Sequence, residues 1–222
     1  MKARRYNVEL RGLSPLLLHH DNLDWAEVMK KWASDPANKK GSVAGDDRSP
    51  AHRWIGNLYT EAGQIVMPAD NLMTMFREGG SKCPTGKGQA TFKRQTQSGI
   101  LVDQSAWPIM VNGNAVPYAP LKALIEEPDF EVHKATAAGL GFELFVKRAK
   151  IGQAKHVRVR PRFDNWTVSG TVTVMDDMIT VDVFRNILSF AGMYAGLGDW
   201  RASAPKSPGP FGRFEASCSE LK

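Results

Sequence analysis

A helix that runs straight into a glycine- and proline-rich basic loop constrains the C-terminal part of this chain more than any other feature. Apolar positions at Val181, Phe184, Ile187, Leu188, Ala191 and Tyr194 fall at helical spacing. Thr180 is placed to cap the start, and Gly196 and Gly198 to end the helix in left-handed backbone geometry. The stretch that follows, GLGDWRASAPKSPGPFGRFE, carries Arg201, Lys206 and Arg213, and has one acid before Glu215. Such a segment has little apolar surface to bury. It does have backbone amides and cations, the two things a polyphosphate backbone demands. Trp200 suits either stacking on a base or folding back, and its place just after a helix favours the core.

At 222 residues the chain is long enough for one large domain or two small ones. No apolar run approaches the twenty or so residues of a membrane span. The first ten residues, MKARRYNVEL, lack the apolar centre of a signal peptide, so a cytoplasmic protein with no membrane partner is expected. Cys83 and Cys218, far apart and only two, suit unpaired thiols in a reducing compartment. The net charge of +6 is uneven. From Lys134 to Arg213 there are twelve Lys plus Arg against six Asp plus Glu, and twelve less six is the whole excess. Lys147, Arg148, Lys150, Lys155, Arg158, Arg160 and Arg162 occupy a run without an acid, and a second acid-free run extends from Lys82 to Arg94. Basic clusters in three separate segments are the electrostatic footprint of a polyanion partner.

Along the chain, Tyr6 to Leu18 alternates and then ends in Leu16-Leu17-Leu18, which predicts a strand that begins half exposed and ends buried. Leu23 to Trp32 predicts a helix with Leu23, Val28 and Trp32 inward, and 33–53 a mobile excursion. Trp54 to Met67 predicts a strand or hairpin turning at Glu61-Ala62-Gly63. Pro68 to Asn71 opens a second helix that stops at Gly79-Gly80, followed by a basic loop or flap over 82–97. Short strands and turns are expected over 100–111 and 115–123. In Val157 to Arg162 the arginines share one face and the valines the other. Trp166 to Val174 alternates again after Asp164-Asn165, so the two read as a hairpin-like pair with an open arginine face. A last strand is expected near Phe211 to Ala216. The pattern as a whole predicts an α+β fold: an antiparallel sheet packed on helices in the ferredoxin-like manner, a single domain with insertions at about 33–66 and 80–125.

The motifs narrow the chemistry. CPTGKGQ is not a phosphate-binding Walker loop: Ser81 stands where the first glycine is needed, and Gly88 where Ser or Thr must follow the lysine. His19-His20-Asp21 puts imidazoles beside a carboxylate, the pairing of a general base. Neighbours on a strand face opposite ways, however, and no ligand spacing completes a metal site, so one buried and one surface histidine is the reading. Asp46-Asp47 and Asp176-Asp177 read as solvated turn residues. No cofactor and no metal is implied. The arginine strand spaces Arg158, Arg160 and Arg162 about 7 Å apart, close to the phosphate repeat of an extended single strand.

Three segments, GLSPLLLHH, IVMPADNLMTMFRE and GLGDWRASAPKSPGPFGRFE, together resemble the repeat-associated mysterious protein (RAMP) superfamily. Its members include backbone subunits of CRISPR effector complexes, built on an RNA-recognition-like ferredoxin fold. The glycine-rich ending is also similar to small phage- and prophage-encoded proteins. Asp70-Asn71-Leu72-Met73 departs from the family's Ser-Leu-Lys-Gly. The resemblance implies single-stranded RNA or DNA laid across repeated copies of the subunit, in a homo-oligomer or filament that can include other effector-complex subunits. On this expectation Lys147, Arg148, Lys155, Arg158, Arg160 and Arg162 follow phosphates, Lys93 and Arg94 clamp from the flap, and Arg201, Lys206 and Arg213 act from the glycine-rich loop, without catalysis. Some relatives cleave RNA through a histidine or aspartate near the first strand, for which His20 and Asp21 stand in position, with His19 and Asp24 beside them. A phage structural or assembly role is the third expectation.

Overall fold

A computed structural model describes the backbone of residues 3–38, 51–151 and 154–221, and the side chains of these except 148–151 and 154–157. In chain order it begins with β1 (Arg4–Gly12), β2 (Leu16–Leu17), α1 (Leu23–Ser34), a 3-10 segment (Ala51–Asn57), β3 (Thr60–Glu61), β4 (Gln64–Pro68) and α2 (Ala69–Lys82). Then come α3 (Lys93–Gly99), β5 (Ile100–Val102), β6 (Ala106–Pro108), β7 (Met110–Val111), β8 (Asn114–Ala115), α4 (Ala119–Lys122) and α5 (Phe130–Gly139). Finally there are β9 (Glu143–Ile151), β10 (Ala154–Phe163), β11 (Trp166–Val174), α6 (Val181–Phe190) and β12 (Phe214–Leu221). The fold is α+β with antiparallel pairing. Two compact units emerge: Met1–Leu17, Val66–Ala115 and Asp164–Lys222 form one, Leu18–Ile65 and Val116–Phe163 the other. Among the described residues no helix is long and apolar enough to cross a membrane.

The first unit is organised by a sheet of order β12-β1-β11-β7-β8, with β5 also pairing β11. The alternation in β1 and β11 does what it predicts. Tyr6, Val8 and Leu10, and Trp166, Val168, Val172 and Val174, are all buried, each worth about 1.5–3 kcal/mol when fully removed from water. Strand β1 nevertheless stops at Gly12, short of the expected Leu18. The Trp166 indole fills the space a Cβ on Gly12 would need, and its Nε1 donates to the Ser14 carbonyl at 2.9 Å. Pro15 then has no N–H to offer a ladder.

Helices α2 and α6 pack through Phe76 on Phe184, with ring centroids 5.8 Å apart, and Tyr6 lies 4.9 Å from Phe184. Helix α2 runs through Gly79-Gly80 to Lys82 instead of stopping there. Those glycines serve close approach: a Cβ on Gly79 would meet Ala191 and the Ile187 carbonyl, and one on Gly80 would meet Thr96. Helix α6 starts as the sequence implies, with Thr180 Oγ1 accepting from Val183 N–H at 3.4 Å. One π-helical turn, Ala191–Ala195, follows, and Gly196 and Gly198 leave it at φ 73° and 75°.

The glycine-rich loop is not an open nest of amides. Leu197 N–H donates to Gly212 O, Asp199 N–H to Leu17 O, Gly209 N–H to Arg201 O and Gly212 N–H to Pro15 O. Arg213 N–H goes to Ser14 Oγ. The amides of Asp199, Gly212 and Arg213 thus lock the loop onto the corner at 13–17, and those of Leu197 and Gly209 close it on itself. Gly212 sits at φ +70° where a Cβ would overlap the Leu197 carbonyl, whereas Gly88, at φ +56°, has nothing within 4 Å. Gly212→Ala is expected to cost more than about 3 kcal/mol, because strain and overlap add, and Gly88→Ala about 1 kcal/mol. Urea denaturation of the two variants checks the difference.

Candidate functional site

The second unit holds a cleft whose floor follows from strand alternation. Along β10, Val159, Pro161 and Phe163 are buried while Arg158, Arg160 and Arg162 lie half-exposed on the other face. The predicted hairpin with β11 does not form: β10 pairs with β9, and β11 with β1 in the first unit. The ten-residue β10 has a long partner in β9, while Trp166 to Val174 completes a different core. Register places Arg158 opposite Lys147 and Arg162 opposite Glu143. The Arg162–Glu143 pair closes at 4.0 Å, so that end of the ladder is partly neutralised. Two cations directly opposite each other repel.

Behind the strand the unit is closely packed. His133 is fully buried; its Nδ1 accepts from Trp54 Nε1–H at 3.0 Å, so the ring proton is on Nε2, which donates to the Glu127 carbonyl at 2.9 Å. Phe142 stacks on Phe163 at 4.9 Å and Trp54 meets Phe142 edge-on. Asn57 ties the 3-10 segment to β10, its Nδ2 donating to the Val159 carbonyl at 3.1 Å. The region expected as strand from Trp54 is therefore this 3-10 segment; the hairpin begins only at Thr60, turning at Ala62 and Gly63 with φ 49° and 77°.

The cleft encloses about 560 Å³, and His19, His20, Asp21, Arg53, Arg158 and Arg160 supply its charged and titratable lining. Residues 18–22 are not a strand, so both histidines reach the same space, and neither is buried as one was expected to be. His20 stacks on Tyr59, ring centroids 4.4 Å apart, and its Nδ1 lies 3.2 Å from the Leu58 carbonyl. A carbonyl only accepts, so this contact puts the proton on Nδ1 and the lone pair on Nε2. The opposite wall is α1, capped by Asn22 and turning Trp25, Ala26 and Met29 towards the cleft. Leu23 and Val28, expected inward, are 79% and 42% exposed. Trp25 is the anchor: its ring covers Gly56, where a Cβ would clash, and its Nε1 donates to the Arg53 carbonyl at 3.2 Å.

The remaining basic residues are distributed differently. Lys93 and Arg94 open α3 in the first unit, both exposed, and Lys206 is exposed on the glycine-rich loop. Arg201 donates to Ser203 Oγ and Gly198 O, and Arg213 to the Met193 carbonyl at 2.7 Å, so both brace the loop of that unit. Trp200 is half-exposed and stacks on Phe211 at 6.0 Å. Arg148 and Lys155 lie outside the described side chains, and Asp46-Asp47 outside the described residues. Asp176 closes the turn before α6, its Oδ1 accepting from Met178 N–H. Both cysteines are free, and burial pushes both thiols up, away from the reactive thiolate. Among the described residues no three His, Cys, Asp or Glu side chains group to hold a metal ion. Arg53, Trp25 and Met29 are site residues the sequence did not single out, because nothing local links them to β10.

The sequence matches no family model and no curated protein.

His52, buried beside Trp25 with its ring 5.9 Å away, has its pKa lowered by burial first and then by His133, against an opposing pull from Glu126. Its neutral form is favoured on folding, so its contribution is present above the unfolded value of about 6.5 and is lost as pH falls through the lower folded value. The urea midpoint of the second unit should fall between about pH 7 and 5, and His52→Gln should flatten that slope.

Proposed function

We propose that this chain is a sequence-tolerant binder of single-stranded nucleic acid, a RAMP-like subunit that acts in repeated copies and without catalysis. The observation that carries the reading is the cleft of the second unit, where, among the described residues, Arg53, Arg158 and Arg160 share the lining with one carboxylate, Asp21. The Lys147–Arg158 register adds a further like-charge pair on the same hairpin. The first unit supports the family reading through strand order: β12-β1-β11-β5 with α2 and α3 before β5 and α6 before β12 is the order of a βαββαβ ferredoxin-like sheet. Exposed Lys93, Arg94 and Lys206 of that unit are the further phosphate contacts of this model. With about six phosphates neutralised, log affinity against log salt should have a slope near −4. Arg158→Gln should weaken binding about fivefold and flatten the slope by about 0.7, read by fluorescence anisotropy of a labelled oligonucleotide. A slope near zero would sink the reading.

One observation favours a second reading, metal-independent RNA cleavage. His20, whose Nδ1 contact leaves Nε2 as the basic nitrogen, lines a cleft that also holds guanidiniums, the pairing needed to take a 2′-hydroxyl proton beside a phosphate. Labelled RNA should then give discrete products that persist in chelator and vanish in His20→Ala. Intact RNA under conditions of full binding rejects this reading and leaves the first.

A further inference from the structure

Strand β12 ends the sheet of the first unit on one side, and a single bond sets its hydrogen-bonding parity. Leu13 N–H donates to Arg213 O. From there the β1–β12 register runs without a break from Gly12–Phe214 to Arg5–Leu221. Hydrogen-bonded pairs therefore fall at Arg11–Glu215, Glu9–Ser217 and Asn7–Ser219, and the residues between them turn their amides and carbonyls away from β1. Of these, Phe214 is walled in, since a Cβ on Gly192 would overlap its carbonyl. Among the described residues, the backbone groups of Ala216, Cys218 and Glu220 have no hydrogen bond across that edge. Sheet edges are usually blunted by lysine, proline or a bulge. Phe214–Leu221 carries none of the three.

We infer that this edge pairs antiparallel with the same edge of a second copy, about a two-fold axis at Cys218, in a closed contact that does not depend on nucleic acid. The open stretch, Glu215 to Leu221, has Cys218 at its centre, and outward-facing residues bond only to outward-facing residues. Cys218 then meets its own counterpart and Ala216 meets Glu220, so each open amide finds a carbonyl. The side chains match in the same register. Ser217 comes opposite Ser219, a hydroxyl pair, while Glu215 and Glu220 come opposite Leu221 and Ala216, so no like charges oppose each other. Arg185 on α6, beside the Cys218 thiol, comes diagonal to Glu220 of the second copy, which adds an attraction across the axis. A strand that is compatible with its own reverse identifies the partner as another copy of this chain.

The test is sedimentation equilibrium of the full chain, freed of nucleic acid, over about 1–500 μM, a range that covers a small, transient contact. A monomer–dimer equilibrium is expected. Ser217→Lys combined with Ser219→Lys sets lysine opposite lysine across the axis and should weaken dimerisation about fivefold. Within one chain those positions face Glu9 and Asn7, so the urea midpoint of dilute protein should not fall. Ser217→Lys combined with Ser219→Glu sets opposite charges across the axis and should tighten the dimer about fivefold. A chain that stays monomeric throughout overturns the pairing, and so does a dimer that the double-lysine variant leaves unchanged. A junction centred on Ser217 would set lysine on lysine in the Lys/Glu variant too, so weakening there overturns the axis at Cys218.

Discussion

Burial of Val159, Pro161 and Phe163 on one side of β10 is the constraint on which the site depends. Strand geometry alternates side chains strictly, so once these three enter the core, Arg158, Arg160 and Arg162 have no choice of face. A slip of one residue against β9 would bury the guanidiniums and expose Phe163, at a cost no hairpin could bear. The register that prevents it also sets Arg158 opposite Lys147. The core therefore fixes which face of β10 carries its cations.

The two basic segments with the loudest sequence signals have different physical jobs. In the second unit the arginines of β10 stand over a cleft whose floor is fastened by the Trp54–His133–Glu127 chain and by Asn57. In the first unit amides of the glycine-rich loop bond the corner at 13–17 and the loop itself, and its arginines bond the Gly198 and Met193 carbonyls. Its glycines are there because backbones approach one another too closely for a Cβ. Glycine beside cation is a good signature of backbone exposed to an anion, and an equally good one of backbone packed on backbone. Only the hydrogen-bond partners distinguish them.

Much of the local structure was legible. The alternation of β1, β10 and β11, the Thr180 cap, the exit of α6 through Gly196 and Gly198, and the turn at Ala62-Gly63 each rest on interactions within a few residues. Pairing was not legible: β10 and β11 are joined by Asp164-Asn165 and look like a hairpin, yet β10 pairs with β9 just before it, and β11 with β1 at the other end of the chain. The two glycines of α2 misled in the same way, since their neighbours Ala191 and Thr96 come from other helices. In the site, Arg158 and Arg160 announced themselves by spacing, and His20 by its neighbours. Trp25, Met29 and Arg53 did not, because their role exists only where α1 and the 3-10 segment meet β10.

By itself, then, the amino-acid order determined the α+β class, the cationic face of one strand and the absence of a Walker phosphate loop, all of which follow from side-chain type and short-range periodicity. Tertiary structure decided which strands pair, that the glycine-rich loop is a packed brace, and that His19, His20 and three arginines share a cleft with a tryptophan wall. The physical reason is reach. Periodicity tells each side chain which way to face, but the free energy that chooses its neighbour comes from contacts between residues that the chain keeps a hundred positions apart.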